Sequence, residues 1–194
     1  MERAAWLERR FGASVEWLAF DLHPEYPPEG IPRADLVARY GERAMSSTAA
    51  MFEESGFAYN PNPDVVPNSR LALELAEAAR SVGRHGEFHT RAMEAYWDEA
   101  QDLSSAEVLR ALAADVALEP ALVDQALEDR AFAPLVDAAT GAAHQAGINA
   151  VPAFVVDRRV LVLGAQPHEV LAAAVQQAAE AGPDDDEEDG GGGR

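Results

Sequence analysis

The sequence predicts an α/β protein in which a long helical block interrupts a small β-containing unit, and three observations predict it. Residues 15–22 alternate in period two over their first part, residues 33–146 are helical in spacing with short breaks, and residues 153–163 hold two β-branched runs around Asp157-Arg158. The elements follow in order. Trp6, Leu7 and Phe11 fall at helical spacing over residues 2–11, and Gly12 closes that helix. Val15 to Leu22 reads as a strand. The loop His23 to Pro32 carries four prolines, so it is neither helix nor inner strand.

Within the helical block the breaks fall at Gly41, at Phe57 to Pro67 with its Asn-Pro-Asn-Pro core, at Gly83 to Gly86, at Asp102 to Ser104 and at Glu119-Pro120. Ser104-Ser105-Ala106-Glu107 fits a capping box, and Pro120 sits at a first helical turn, where its missing N–H costs nothing. Ala153 to Val156 and Arg159 to Leu163 are too close for anything but an antiparallel hairpin. Gly164-Ala165-Gln166-Pro167 then leads into a last helix from His168 to about Ala181.

Composition bounds the function. The chain has 194 residues, 48% of them hydrophobic, which is enough to bury a core. No apolar stretch reaches the roughly 18 residues of a membrane helix, and the first residues lack an apolar signal segment, so the expected setting is cytoplasmic. All fifteen basic residues are arginine, which with abundant alanine marks a GC-rich bacterial genome. Net charge is −19, and removing the six acids of Asp184 to Asp189 together with Arg194 still leaves −14. Nucleic acid and anionic membrane are therefore not expected partners, since both need clustered positive charge. Residues 182–194 read as a disordered acidic and glycine tail.

Most telling is the run Gly147-Ile-Asn-Ala-Val151-Pro152-Ala-Phe-Val-Val156, which places a proline at a strand entrance, where it removes no ladder bond. An X-Pro bond favours trans by only about 0.5–1 kcal/mol, so a fold can hold Val151–Pro152 in cis. Four other stretches accompany it: Val15 to Gly30, Pro67-Asn68-Ser69 opening a helix, Ala95-Tyr96-Trp97 before a polar turn, and Gly164 to Pro167. Together, in this order and over residues 1 to about 178, they resemble the DsbA family of thiol–disulfide oxidoreductases. The similarity is to its FrnE-like branch, which neighbours the 2-hydroxychromene-2-carboxylate isomerases and kappa-class glutathione transferases.

That resemblance implies a thioredoxin-like fold with a large helical insertion. Residues 1–32 and 147–181 would form the thioredoxin-like domain and 33–146 the insertion. It also implies a reactive C-x-x-C turn at the start of the first helix, after a first strand. Residues 2–11 match only the later turns of that helix, so first strand and active-site turn are missing, and Met1 is expected to be internal to a longer reading frame. The chain contains no cysteine. Thiol–disulfide exchange needs an attacking thiolate, so this polypeptide is expected to be redox-inactive, with no catalytic residue, metal or cofactor assigned. The family's remaining site maps to Val151 and Pro152, where the backbone edge meets a substrate peptide or protein. Glutathione enters only in the isomerase reading; a thiol-independent peptide-binding module is the other alternative.

Further candidates have plainer readings. His85 and His89 are spaced i and i+4, but Gly86 follows the first histidine where a zincin needs glutamate, so a surface pair is expected. Asp21, His23 and Glu25 offer acid–base groups without a nucleophile and read as solvated loop residues. Met45, Met51, Met93, Tyr96 and Trp97 line either a peptide groove or ordinary core. Gly147, Gly164 and Asn68 are explained first by turn geometry.

Overall fold

The computed structural model of the chain describes residues 2–181, apart from the side chains of residues 42–47. In chain order the elements are α1 (Glu2–Phe11), β1 (Ile31–Pro32), α2 (Arg33–Tyr40), α3 (Glu42–Glu54), β2 (Val65–Val66), α4 (Arg70–Ser81), α5 (His85–Trp97), α6 (Ala106–Asp115), α7 (Pro120–Leu127), α8 (Ala133–Gln145), β3 (Ala153–Val156), β4 (Val160–Leu163) and α9 (His168–Glu180). They fall into two compact units, one built from the chain up to Glu16 and from Gly147 onward, the other from Trp17–Ala146. The acidic tail and the side chain of Met45 lie outside the described residues.

In the first unit β3 and β4 pair antiparallel, with Phe154 opposite Val162 and Val155 opposite Leu161. The turn closes because Asp157 and Arg158 both take positive φ, 51° and 57°, and the Arg159 N–H donates to the Val156 carbonyl at 3.0 Å. Opposed residues share a face, so the hairpin has two. One face, with Phe154, Val156, Val160 and Val162, packs with Leu7 of α1 and Leu171 and Ala174 of α9 into a small core. The other carries Val155, Leu161 and Leu163, all exposed. At the margin of this core Trp6 stacks on His168 with ring centres 4.4 Å apart, and His168 meets Glu2 at 3.0 Å.

The second unit is a helical cluster centred on α4. Its sequence Arg-Leu-Ala-Leu-Glu-Leu-Ala-Glu-Ala-Ala-Arg-Ser is apolar nearly all round, and Leu75, Ala78 and Ala79 are completely buried beside Phe88, Leu109 and Ala126. Burying one such Leu or Phe contributes about 1.5–3 kcal/mol. The loop of residues 57–67 is not a free coil. The Asn60 N–H donates to the Trp97 carbonyl, Asn60 Nδ2 to that of Asp98 (2.9 Å) and Asn62 Nδ2 to that of Ala100 (3.1 Å), so the asparagines tie the loop to carbonyls at and just past the end of α5. Asn68 does similar work at the start of α4, accepting from the Arg70 N–H at 2.8 Å.

Four expectations need correction. Residues 15–22 form no strand. Their burial still alternates, with Val15, Trp17, Ala19 and Asp21 turned inward and Glu16, Leu18 and Leu22 outward, so the backbone is extended but has no ladder partner among the described residues. The capping box is not formed. The cap of α6 is Ser105, whose Oγ accepts from the Val108 N–H, while Ser104 donates its hydroxyl to Asp102. An unforeseen break separates α7 from α8, where Arg130 takes φ 54° and Pro134 sits in the first turn of α8. Finally, Asp21 is 4% exposed rather than solvated.

That break and that burial share a cause. Glu74 is fully buried on α4 and accepts two bonds from Arg130, both 2.7 Å, and one from Arg70 Nε at 2.6 Å. Arg70 also meets Asp137 at 2.7 Å and Asp21 at 3.5 Å, and the Asp21 N–H donates to Thr140 Oγ1 at 3.0 Å. Burial, the largest single influence, pushes the Glu74 carboxyl up, but the bonds from Arg130 and Arg70 outweigh it and hold it below the usual glutamate range. The left-handed residue is fixed by an ion pair that no local pattern signals.

Candidate functional site

Val151 and Pro152 stand immediately before β3, after the turn that Gly147 makes at φ 80°. Their peptide bond is cis. Val151 is 51% exposed, and Pro152 is exposed beside it. The Pro152 carbonyl is tied down by the Gly164 N–H at 2.8 Å. Gly164 in turn belongs to a loop that is itself held. Arg3 of α1 donates from Nε to the Gln166 carbonyl at 2.7 Å and from its terminal nitrogen to that of Ala165 at 3.1 Å, and Gln166 Nε2 reaches the Leu163 carbonyl at 3.0 Å. Val151 and Pro152 are thus presented at the surface by β3, β4 and α1 through bonds to main-chain carbonyls.

The chemistry available beside them is narrow. The described residues of this unit contain Ser14 as their one hydroxyl side chain, and no thiol, phenol or amine side chain. His168 is paired with Glu2 and covered by Trp6. What remains is main-chain hydrogen bonding and apolar contact. That suits recognition of a polypeptide rather than bond cleavage.

Of the other candidates, the histidine pair departs from the expected surface pair, whereas His23 and Glu25 lie at the surface. His85 and His89 stack on α5 with centres 5.8 Å apart, and His89 is further covered by Trp17 at 4.7 Å. Burial, and then the neighbouring His85, lower the His89 pKa to about 4. Among the described residues no group of three or more His, Asp and Glu is placed to hold a metal. His23 Nδ1 meets Glu25 Oε1 at 3.0 Å at the surface, while Asp21 faces the other way into the Arg70 network. Glu25 is held below its usual range by its own backbone N–H and then by His23. Trp97 packs directly on Phe52 and Tyr59, 4.7 and 5.7 Å between ring centres, with Tyr96 at 4.5 Å, so these rings fill one another's contact surface.

Two groups escaped the sequence reading. Arg3 acts across 162 and 163 positions of chain, and nothing local signals it. Glu74 did leave a sign: it is a carboxylate inside the apolar run Leu71 to Ala79, a place where a charge needs a partner.

Comparison with known proteins bears on the same stretch. Residues 2–176 match the model of a DSBA-like thioredoxin domain. The chain is 31% identical over 163 residues to the uncharacterized protein YwbO of Bacillus subtilis, covering 83% of this chain and 80% of that protein. It is also similar to the crystal structure of a probable DsbA oxidoreductase from Streptomyces coelicolor, with TM-score 0.81 and 28% identity, over 92% of this chain and 81% of that one. Sequence motifs, hairpin geometry and both likenesses converge, and the chain belongs to the DSBA-like thioredoxin domain family.

Proposed function

We propose that this chain is a thiol-independent member of its family that binds an extended segment of a peptide or protein against Val151 and Pro152. The observation that carries the reading is the exposed Val151 beside Pro152, whose carbonyl is held by the Gly164 N–H, with no nucleophilic thiol in the sequence. Disulfide exchange proceeds through a mixed disulfide, and a polypeptide without sulfur-bearing cysteine cannot form one. The oxidoreductase chemistry of its relatives is therefore not assigned to this chain. A cytoplasmic setting and the absence of nucleic acid from the partners belong to the same reading, supported by the net charge of −19 and by described helices too short or too polar to cross a membrane.

The test has two arms. The chain of verified mass should neither reduce insulin disulfides nor oxidise a dithiol peptide above the rate in buffer, and reproducible catalysis would overturn the redox half. A fluorescent unfolded polypeptide without cysteine should bind, and Val151→Asp should weaken that binding while leaving the circular dichroism spectrum unchanged. Equal binding by both proteins would remove Val151 from the site.

A further inference from the structure

Helix α6 turns an unusual face to solvent. Leu109, Leu112 and Ala113 bury its inner side in the helical core. Its outward row runs Glu107, Ala111, Ala114 at helical spacing, and both alanines are exposed where a surface helix ordinarily carries a charged or polar side chain. A row of methyl groups stands low, so a groove opens on each side of it. The groove toward α7 has a volume of about 230 Å³ and is lined by Ala114, Leu118, Pro120 and Val123. The groove toward α5 has about 240 Å³, with Val108, Ala111 and Leu112 as its apolar floor. Both exceed the roughly 150 Å³ that accepts a benzene ring inside a protein, so each has room for a leucine or phenylalanine side chain.

The rims are acidic. Residues 84–129, which form α5, α6, α7 and their connections, hold eleven Asp and Glu against three Arg and no Lys, a net charge of −8 with histidine neutral. All three arginines are engaged by carboxylates. Arg84 meets Glu87 at 2.6 Å. On the α5 side Arg91 bonds Asp115 at 2.8 Å and both oxygens of Glu99 at 2.9 Å. On the α7 side Arg110 bonds Asp124 at 3.2 Å and Glu128 at 2.6 Å. Each groove thus has one guanidinium between two carboxylates, and Glu107 adds a further negative charge on the α5 side.

An apolar floor inside an acidic rim suits a partner that is apolar along one line and basic beside it. Two copies of this face repel each other, which argues against self-association through α6. A basic amphipathic helix has the matching form, because the side-chain rows of one helix settle into the grooves beside a ridge of the other. We propose that the α6 face docks a basic amphipathic helix of another protein, its large apolar side chains straddling Ala111 and Ala114 and its cations meeting Glu107, Asp115, Asp124 and Glu128. The proposal does not depend on the reading at Val151.

The probe is a labelled helical peptide of leucine and lysine, with leucines only at the spacing i, i+3, i+4 and i+7, titrated against the full chain by fluorescence anisotropy. It should bind, and less tightly as salt is added. A peptide of the same composition with its leucines scattered round the helix should bind about tenfold more weakly. Ala111→Gln combined with Ala114→Gln changes no charge and keeps good helix formers, yet should also weaken binding about tenfold. Glu107→Arg should weaken it and flatten the salt dependence. Circular dichroism should find both variants folded like the parent, since all three positions are exposed. Equal binding of the ordered and scattered peptides, or no effect of the alanine pair, would reveal diffuse attraction to an acidic protein and overturn the proposal, as would failure to bind at all. A dimer in sedimentation that the paired glutamine variant dissociates would assign this face to a second copy and overturn it equally.

Discussion

Glu74 shows how a single buried charge shapes its neighbourhood. Glu74→Gln keeps the volume but leaves Arg70 and Arg130 facing a neutral amide, so urea denaturation should show a loss of about 3 kcal/mol. The pH dependence has a definite sign. Because the folded carboxyl lies below its ordinary value of 4.5, its contribution is present above that value and is lost as pH falls through the folded pKa. His89 works against stability in an adjoining window. It stays neutral in the fold down to about pH 4 while an unfolded histidine protonates near 6.5, so stability falls between those values as acid is added. Proton NMR of the imidazole resonances should find one histidine titrating near 4, and a value near 6.5 for all of them would show that His89 is not buried as described. Glu74 was legible in principle as a carboxylate in an apolar run. The burial of His89 was not, because Trp17, which covers it, lies seventy-two positions away in sequence.

At the scale of elements, the helices were legible because glycine, proline and serine mark most of their ends. The turn at Arg130 was only half marked: Pro134 signals the start of α8, but at the left-handed position tertiary ion pairing replaces the usual glycine. Nor could residues 15–22 be read correctly. Period-two alternation reports an extended backbone with one face inward, and a strand additionally needs a partner that sequence pattern does not supply. Residue-resolved amide exchange should therefore find the Asp21 amide, bonded to Thr140 Oγ1, protected, while that of exposed Leu18 exchanges rapidly. The small β1–β2 pair, Ile31 opposite Val66, depends on one glycine. At Gly30, φ is 82° and a Cβ would come within 2.3 Å of the Val66 carbonyl oxygen, so Gly30→Ala should destabilise by about 3 kcal/mol. Gly83→Ala, where φ is also positive but the space is open, should cost only about 1 kcal/mol. Equal losses in thermal melts would show that backbone strain, and not the close approach, governs Gly30.

For the whole molecule, the family was readable from five loose motifs in order, because a fold constrains sequence at turns and strand entrances even where its reactive group is absent. The partition into two units was less readable: the helical spacing begins at residue 33, but Asp21 already belongs with α4 and α8 through Arg70 and Thr140. This stitching has a practical side. Asp21 lies near one end of Trp17–Ala146, Asp137 and Thr140 near the other, and Arg70 touches both aspartates. A segment whose two ends are fastened side by side has the form of a cassette, which can be cut out or grafted into a surface turn of another protein without dragging its termini apart. Residues 17–146 produced alone should give a helical spectrum and a single cooperative melt, lost in Arg70→Ala. A gradual, non-cooperative melt of the unmutated cassette would show that its ends are held by something other than this clasp.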